Sequence, residues 1–453
     1  MHSTYEDDES PYIDGPPRTT GLAPLWTTRR PGRPRGESRA PCWFRWQPLA
    51  TRVVGHGAVS AALDEGVLAT GKVRWPVKFR VERDVLAEAV VWAARGLPTR
   101  PPVPVLAGVL LEADGAGTLT LSAFDYEVSA RVSVAADVSE AGTVLVSGRL
   151  LADISRNLPA KPVEVTTDGN KVSLVCGASR FTLLTMPVQD YPALPQMPQS
   201  AGTVAGDVFT LAVSQVTTAA GRDDTLPILT GVRVEIEGST ITLLATDRYR
   251  LAMRTLQWNP DQADASTVAL VPARTLSDTA RALGASADVH LALGRTGGGE
   301  GLIGFEAGQR RTTSRLLDGE YPKVTSIFPT ASETEAVMET ALLVEAVKRV
   351  ALVAERNTPV RLKFTDGQLS IEAGQGEDAQ ASEAIEASLS GDEIEIAFNP
   401  QYLLDGLAAL HQPWAKLAFT QSTKPALLTG QNEADSATDD SFRYVLMPVR
   451  LAG

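Results

Sequence analysis

The chain has 453 residues, of which 43% are hydrophobic and 21% are charged, a length and composition typical of a globular protein with three or four domains. Lys and Arg number 42 against 54 Asp and Glu, and the formal charge of -12 excludes a general affinity for polyanions driven by net charge. Two cysteines are too few for a disulfide framework, and there is neither an apolar run of membrane length nor a signal-peptide pattern, so we predict a cytoplasmic protein that does not bind membranes.

Residues 1–76 differ in composition from the rest of the chain. They carry nine of the 29 prolines, an acidic run at residues 6–9 and an Arg/Pro tract at residues 29–39. Ten basic and eight acidic side chains lie there, which leaves the remainder with a charge of -14. We predict a disordered leader. Either it is not part of the native protein, or its aromatic residues at positions 43–46 form a short docking motif.

From residue 77 the pattern becomes that of alternating strands and helices. An amphipathic helix follows the first strand, with one apolar face made by Leu86, Ala89, Val90, Ala93 and Leu97. A second helix is predicted to have one apolar side, made by Leu150, Leu151, Ile154 and Leu158.

Strands are predicted where apolar and polar residues alternate, as at residues 127–134 and 240–243. Asp-Gly pairs that start at Asp114, Asp168 and Asp366 predict turns between strands. Near the end of the chain, Asn399 as N-cap and Pro400 as first residue predict the start of another helix.

The chain repeats itself at intervals of about one domain. Asp153, Asp278 and Asp405 end three similar strand-to-helix stretches and are 125 and 127 residues apart. Asp125 and Asp247 recur in the same way, at an interval of 122 residues. This period is far longer than that of a solenoid repeat. We predict three similar α+β domains, each with two helices packed on antiparallel sheets, over residues 77–201, 202–330 and 331–453.

No residues for catalysis stand out. His290 and His411 have no nucleophile or ligand cluster beside them, which favours structural roles. Glycines 297–299 lack the Lys-Ser/Thr of a phosphate-binding loop and predict a hairpin loop. Asp125 and Asp247 occupy the same place in their repeats, which favours turns over a catalytic pair. We therefore predict no metal, no cofactor and no catalytic site; an enzyme with a site in a cleft between repeats stays as an alternative.

Three motifs carry a resemblance to a known family. Residues 77–83 (VKFRVER), 245–251 (ATDRYRL) and 444–451 (YVLMPVRL) closely resemble the bacterial sliding clamp, the beta subunit of DNA polymerase III, in its actinobacterial type. The resemblance spans residues 77–453 and includes the threefold repeat. It implies the DNA clamp fold in a head-to-tail homodimeric ring, a non-catalytic processivity factor that encircles double-stranded DNA.

The resemblance also implies partners. They are the replicative polymerase alpha subunit, the clamp loader, and other polymerases and repair proteins that carry a clamp-binding peptide. The site of action would be the replisome on the nucleoid. A paralogous clamp-like scaffold that binds partners without a replicative role is the alternative, because both proteins would keep the same ring and pocket.

A ring that slides on DNA needs weak phosphate contacts and no reading of base edges. Basic residues in or near the predicted helices are candidates for these contacts, with solvated surface charge as the alternative for each: Arg83, Arg95, Arg149, Arg156, Arg274, Arg281, Lys348 and Arg349. Arg100 ranks first because it matches a family position that contacts DNA. Arg222 lies beside a second family contact loop, from Asp223 to Ile228, which departs here from the family pattern.

The family's peptide pocket lies between the second and third domains and accepts roughly Gln-x-x-Leu-Phe. The matching positions are Leu229, Thr246, Arg248, Tyr249, Arg250, Leu251, Pro322, Ser326, Ile327, Val445, Leu446, Met447, Pro448, Val449, Arg450 and Leu451. Apolar side chains, an adaptable Met and flanking Arg suit a small hydrophobic anchor. The alternative is that Leu251, Val445 and Met447 are core residues. Ser326 and Arg248 replace the Arg and Gly of many relatives, which leaves the peptide preference open.

Ring closure needs a further surface. The resemblance assigns it to Phe181 and Leu183 in the first domain and to Leu352 and Val353 in the third. Head-to-tail contact of two three-domain protomers closes the ring after two copies. Burial in the core is the alternative for these four apolar residues.

Overall fold

A computed structural model describes residues 77–284, 287–295, 301–329, 331–354, 358–374 and 379–450, which belong to one compact unit. The predicted leader at residues 1–76, glycines 297–299 and Leu451 lie outside the described residues.

The first domain has an order of elements that the other two repeat. Its elements are β1 (Lys78–Val81), α1 (Arg83–Ala93), β2 (Gly108–Ala113), β3 (Thr118–Phe124), β4 (Val128–Ala135), β5 (Asp137–Glu140), β6 (Gly142–Ser147), α2 (Gly148–Asn157), β7 (Val163–Asp168), β8 (Lys171–Cys176) and β9 (Ser179–Met186). Short 3-10 segments lie at Ala94–Gly96, Pro104–Ala107 and Val188–Asp190.

The second domain follows the same order, with β10 (Ser200–Val204), α3 (Gly206–Thr217), β11 (Gly231–Glu237), β12 (Thr240–Thr246), β13 (Arg250–Gln257), β14 (Asn259–Pro260), β15 (Ser266–Pro272), α4 (Ala273–Leu283), β16 (Val289–Arg295), β17 (Gly301–Ala307) and β18 (Arg310–Arg315). Its 3-10 segments lie at Pro227–Thr230 and Thr325–Ile327. The boundary predicted after residue 201 falls within β10.

The third domain repeats the order once more, with β19 (Thr334–Glu339), α5 (Thr340–Val350), β20 (Val360–Thr365), β21 (Gln368–Ala373), β22 (Ala381–Glu386), β23 (Ser388–Ser390), β24 (Ile394–Phe398), α6 (Pro400–Leu410), β25 (Trp414–Phe419), β26 (Ala426–Gln431) and β27 (Asp439–Leu446). A 3-10 segment at Ala351–Val353 extends α5.

The helices form where their apolar faces meet the sheets. The start of α6 confirms the prediction: Asn399 Oδ1 accepts the amides of Gln401 and Tyr402, and Pro400 is the first residue. In α2 the predicted face is wrong at Leu150, which is 49% exposed, whereas Leu151 is buried. Adjacent helical residues point about 100° apart, so the two leucines cannot share one narrow face.

The turns follow the predicted chemistry. Asp114 Oδ1 accepts the amides of Ala116 and Thr118, and the left-handed φ of 85° falls on Gly117 rather than on the glycine that follows the aspartate. Asp125 Oδ1 accepts the amides of Glu127 and Val128 at 2.9 and 2.6 Å. The prediction of a turn role for Asp125 is therefore confirmed.

The sheets cross the domain boundaries, which the sequence did not predict. All strand pairs are antiparallel, and β18 of the second domain pairs with β4 of the first, whereas β13 pairs with β27 of the third. The three sheets have the orders β14-β10-β16-β17-β18-β4-β3-β2-β6-β9-β8-β7-β1-β5, β15-β11-β12-β13-β27-β26-β25-β19-β23 and β22-β21-β20-β24. The β4·β18 and β13·β27 seams therefore join the three domains through continuous sheets.

Each domain packs its two helices side by side, as α1 with α2, α3 with α4 and α5 with α6. One large apolar cluster runs through all three domains, from Val77 to Leu446. No helix in the described part of the chain is long and apolar enough to cross a membrane.

Candidate functional site

The floor of the predicted pocket is one face of the β13·β27 seam. Leu251 lies directly opposite Val445, and both are almost fully buried. They pack in a separate apolar cluster with Leu244, Met253, Leu270, Tyr321, Val324 and Phe328. Ile327 and Ile228 are half-buried against the same cluster. Leu251 and Val445 are thus core residues, as the alternative stated, and the half-buried Ile327 and Ile228 bring this cluster to the surface. The cluster spans the second and third domains.

Tyr321 holds the connecting segment between these domains against the seam. Its hydroxyl accepts the Thr246 amide at 2.9 Å, and burial raises its pKa well above the ordinary value. Thr246 Oγ1 in turn donates to the Arg250 carbonyl at 2.6 Å. The neutral phenol therefore fixes the segment that carries Pro322, Ser326 and Ile327 beside the floor.

The rim of the pocket is polar and basic. Arg248 is exposed, has a left-handed φ of 82°, and lies over the Tyr249 ring at 5.7 Å. Two hydrogen bonds from Thr225 and the nearby charge of Arg248 hold the pKa of Asp223 below its ordinary value. Tyr249, which is 53% exposed, accepts the Met447 amide at 2.9 Å through its carbonyl. Met447 is half-buried and so offers side-chain surface at the rim.

Arg250 and Leu446 lie on the opposite face of the seam from this floor. They pair with each other, and side chains alternate between faces along a strand. Leu446 belongs to the large core cluster rather than to the pocket cluster. The structure therefore does not bring these two predicted pocket residues to the pocket surface.

Arg250 instead joins the second domain to α6 of the third. It is 4% exposed, its Nε donates to Asp247 Oδ2 at 2.9 Å, and its Nη1 donates to Asp405 Oδ2 at 2.5 Å. The guanidinium also lies over the Tyr402 ring at 4.5 Å and donates to the Tyr444 hydroxyl at 3.4 Å. Burial lowers the pKa of Arg250, but these partners together raise it above the ordinary value, so the bridge stays charged.

The remaining predicted pocket residues lie at the margin. Pro448, Val449 and Arg450 line a separate cavity of about 260 Å³ beside β24, where the Val449 amide donates to the Ala397 carbonyl at 2.8 Å. Leu229 is half-buried in the 3-10 segment, and its neighbour Ile228 makes the contact with the pocket cluster. Ile228 and Phe328 were missed because no local pattern distinguishes them from Leu229 and Ile327.

The predicted DNA-contacting residues are exposed except for Arg83, which is half-buried and pairs with Asp84 at 2.9 Å. Arg149 donates to the carbonyls of Pro98 and Thr99 at 3.0 and 3.1 Å, and so anchors the loop that carries Arg100. Ion pairs within the protein involve Arg274 and Arg281 with Asp278, and Lys348 with Glu345. Among the described residues, no ion pair involves Arg95, Arg100, Arg156 or Arg222.

Arg349 is directed to the edge of the third domain. Its guanidinium donates two hydrogen bonds, of 3.0 and 2.6 Å, to the carboxylate of Glu383 on β22, and they lower the pKa of that carboxyl. This contact orients Arg349 along β22.

β9 and β22 are among the strands with an open edge in the described part of the protein. β9 pairs with β8 along its length, but on its other side only Thr185 and Met186 pair with β6. β22 pairs with β21 alone. Phe181 is 38% exposed and Leu352 84%, whereas Leu183 is buried and Val353 packs against the core. Core burial therefore accounts for Leu183 and Val353. Leu184, which the sequence analysis did not name, is 67% exposed on β9.

Other residues considered for chemistry have structural positions. Asp247 Oδ1 accepts the Tyr249 and Arg250 amides at 3.0 Å each, which confirms its predicted turn role. His411 caps α6 in the left-handed conformation, and Cys176 is a buried free thiol. No group of three or more metal-ligating side chains occurs among the described residues.

Comparison with known proteins decides the family. Sequence profiles of the DNA polymerase III beta subunit match residues 77–195 (N-terminal domain), 203–323 (central domain) and 325–450 (C-terminal domain). The chain belongs to the bacterial sliding clamp family. The beta sliding clamp of Streptomyces coelicolor is 64% identical over 377 residues, which cover 83% of this chain and 100% of the relative. The beta sliding clamp homolog GriR of Streptomyces muensis is 48% identical, covering 83% and 99%.

Solved sliding clamps have the same fold. The clamp of Bacillus subtilis matches with a TM-score of 0.77 at 26% identity, over 83% of this chain and 100% of that one. The clamp of Pseudomonas aeruginosa bound to griselimycin matches with a TM-score of 0.76 at 28% identity, over the same shares. The chain is thus a non-catalytic DNA polymerase processivity clamp, and its three-domain α+β fold is the DNA clamp fold. The identity of 64% to the Streptomyces coelicolor clamp, against 26% to the Bacillus subtilis clamp, fits the actinobacterial type.

Proposed function

We propose that this sliding clamp works as a head-to-tail homodimeric ring that encircles double-stranded DNA in the cytoplasm, at the replisome. The exposed basic residues on the helices and on the Arg100 loop serve as its sequence-neutral phosphate contacts. Enclosure supplies retention, so each contact can be weak enough for sliding.

Ring closure is proposed to join β9 of one protomer to β22 of the other. Both are open edges, and open edges pair readily with another strand. β9 presents Arg180 with the exposed Phe181 and Leu184, whereas β22 presents the exposed Glu386, since Glu383 is already paired with Arg349. Opposite charges and exposed apolar side chains suit a heterologous contact that closes after two copies.

The partner site is proposed to be the pocket above the β13·β27 seam. The observation that carries this proposal is the buried Leu251–Val445 cluster, against which the half-buried Ile327 packs, with the half-buried Met447 two residues beyond Val445. A short peptide with a Leu-Phe anchor fits such a surface. The partners would be the polymerase alpha subunit, the clamp loader, and other polymerases and repair proteins with a peptide close to Gln-x-x-Leu-Phe.

The ring is tested by retention on nicked circular DNA before and after linearisation. A closed ring stays on the circle during gel filtration and leaves once the DNA has ends. Sedimentation of the protein alone should give a dimer. A monomer, or equal loss from circular and linear DNA, would refute the ring.

The pocket is tested by titration of a labelled Gln-x-x-Leu-Phe peptide. Met447→Ala should weaken binding about tenfold, because truncation of an anchor contact typically costs 1–2 kcal/mol or more. Leu342→Ala is the matched control, since Leu342 is 49% exposed on α5 and outside the pocket cluster. Equal binding by both variants and the wild type, or no binding to any, would refute the assignment.

A further inference from the structure

A cavity lies beside the seam between the first and second domains. The cavity holds about 520 Å³ and lies between the β4·β18 seam and α4. Its walls include Trp92 and Leu97 from the first domain and Leu317 from the second. Trp92 and Leu97 lie outside the pocket cluster, whereas Leu317 also packs against it.

The two seams are equivalent by register. At the second seam Arg250 pairs with Leu446, and at the first Val128 pairs with Ser314. The flanking hydrogen bond is also repeated: the Met447 amide donates to the Tyr249 carbonyl, and the Arg315 amide donates to the Glu127 carbonyl, both at 2.9 Å. Each position of one seam therefore has a counterpart in the other.

The cavity exists because three large side chains have small counterparts. Arg250, Tyr402 and Tyr444 fill the space at the second seam. Their counterparts at the first seam are, in the same order, Val128, Thr275 and Thr312, which all line the cavity. Every exchange removes the outer part of a side chain and leaves space behind.

The two carboxylates that hold Arg250 are nevertheless repeated. Asp247 and Asp405 bind its guanidinium, and their counterparts Asp125 and Asp278 both line the cavity. The first seam thus keeps both carboxylates but has Val128 in place of Arg250, and Asp278 Oδ1 accepts instead from Arg281 at 3.1 Å. The cavity is also lined by the ring of Trp92, over which the Arg310 guanidinium lies at 5.2 Å from the ring centre.

Three arginines line the cavity, namely Arg95, Arg274 and Arg315, and Asp278 and Glu127 already have arginine partners. Arg274 and Arg281 lie 4.0 and 3.1 Å from Asp278, and Arg315 lies 3.9 Å from Glu127. Arg274 is 89% exposed, and Arg281 does not line the cavity, so neither fills the space that Arg250 occupies at the other seam.

We propose that this cavity binds a guanidinium group on an apolar stem, held between Asp125 and Asp278 as Arg250 is held at the other seam. A planar guanidinium can serve two carboxylates at once, which an ammonium does less well. The same chemistry comes either from a small free guanidine such as agmatine or from an arginine side chain of a partner. This inference does not depend on DNA or peptide binding at the sites proposed above.

The test is calorimetric titration of the full-length protein with agmatine, with putrescine as the ammonium control. One saturable site per protomer is expected, with putrescine at least tenfold weaker. Asp278→Asn should weaken agmatine about tenfold, because a charged hydrogen bond is lost. Asp153→Asn is the matched control, since Asp153 holds the same repeat position on α2 and does not line the cavity. No saturable binding, or equal loss in both variants, would overturn the proposal.

A second variant fills the cavity from within. Val128→Arg combined with Thr275→Tyr rebuilds the arrangement of the other seam, so agmatine binding should disappear while the melting temperature rises or holds. Undiminished agmatine binding by that folded variant would overturn the proposal. Titration with N-acetyl-arginine amide separates the two sources: tighter binding than agmatine indicates a partner's arginine, and at least tenfold weaker binding indicates a free guanidine. Retention on nicked circular DNA, measured in parallel, reports the clamp function separately.

Discussion

Removal of Arg250 should uncouple the second domain from the third. Arg250→Met keeps much of the side-chain stem but removes the guanidinium that joins Asp247 and Asp405. Loss of one partner from a buried ion pair typically costs 3–5 kcal/mol, because the other charge stays buried. Here the two carboxylates keep 15% and 21% of their side-chain surface exposed, so water can partly replace the cation. We therefore expect the lower end, about 3 kcal/mol, in the free energy of unfolding.

The assay is a double-mutant cycle in urea unfolding, followed by circular dichroism. Asp405→Asn alone should cost about 1.5 kcal/mol, since it removes a charged hydrogen bond but keeps an acceptor. Combined with Arg250→Met, it should add far less than that, which gives a coupling free energy of about 1–2 kcal/mol. Coupling of this size would show that the two residues act as one bridge.

The control is Arg254→Met on the same strand. Arg254 is 16% exposed and lies 3.6 Å from Asp439, not from Asp405. Its combination with Asp405→Asn should be additive within about 0.5 kcal/mol. A coupling below that limit for Arg250 and Asp405 as well would refute the bridge across the domain boundary.

Three further changes test packing, electrostatics and the open edge. Gly406→Ala should lower the free energy of unfolding in urea by about 1–3 kcal/mol, since a Cβ there would lie 2.5 Å from the Tyr444 ring. The higher helix propensity of Ala, which would stabilise an exposed helix, is outweighed by this clash. The hydrogen bond from Lys416 lowers the pKa of Glu335. The ionised Glu335 therefore stabilises the folded protein at neutral pH, and this stabilisation is lost as the pH falls through the lowered pKa. Glu335→Gln should therefore lose less stability than wild type between pH 7 and pH 3; an equal loss would contradict this. Leu184→Asp should weaken the dimer at least tenfold in sedimentation, with unchanged circular dichroism, and an intact dimer would count against the β9 edge.

The sequence predicts the repeat, and with it much of the fold, because each domain repeats the same local patterns. Asp125 and Asp247 recur at one turn, and Asn399 begins a helix as its side-chain chemistry requires. Such features depend on residues within a few positions of one another. Local periodicity and turn chemistry are therefore enough to predict them.

The seams could not be predicted in this way. At the first seam Ser129 and Thr313 are joined by a hydrogen bond between their hydroxyls at 2.6 Å, across 184 positions of the chain. No local pattern identifies strands of two domains as neighbours, and the face of Arg250 depends on which neighbour the strand has. The resemblance therefore supplied Arg250 as a pocket residue, whereas the register puts its side chain on the helix side of the sheet.

The burial of side chains on the edge strand β9 could not be predicted from the sequence either. Phe181 and Leu183 lie on one face of β9, but the core covers only Leu183. Leu184 points to the other face and is the most exposed apolar side chain of that strand. Because β9 has apolar residues on both faces, its sequence does not alternate between apolar and polar residues, and the exposed face cannot be predicted from it. Only the tertiary structure shows where the core ends.

The positions of the charged residues explain how an acidic protein can bind DNA. Several basic residues on the helices already have carboxylate partners: Asp278 serves Arg274 and Arg281, and Glu345 serves Lys348. A DNA phosphate that approaches them replaces an existing partner, so the net gain from each contact is small. Residues such as Arg100, for which no internal carboxylate is found in the described part of the chain, would then carry most of the salt-dependent attraction. A net charge of -12 is thus compatible with a ring that holds DNA by enclosure, because weak and exchangeable contacts permit sliding where strong ones would arrest it.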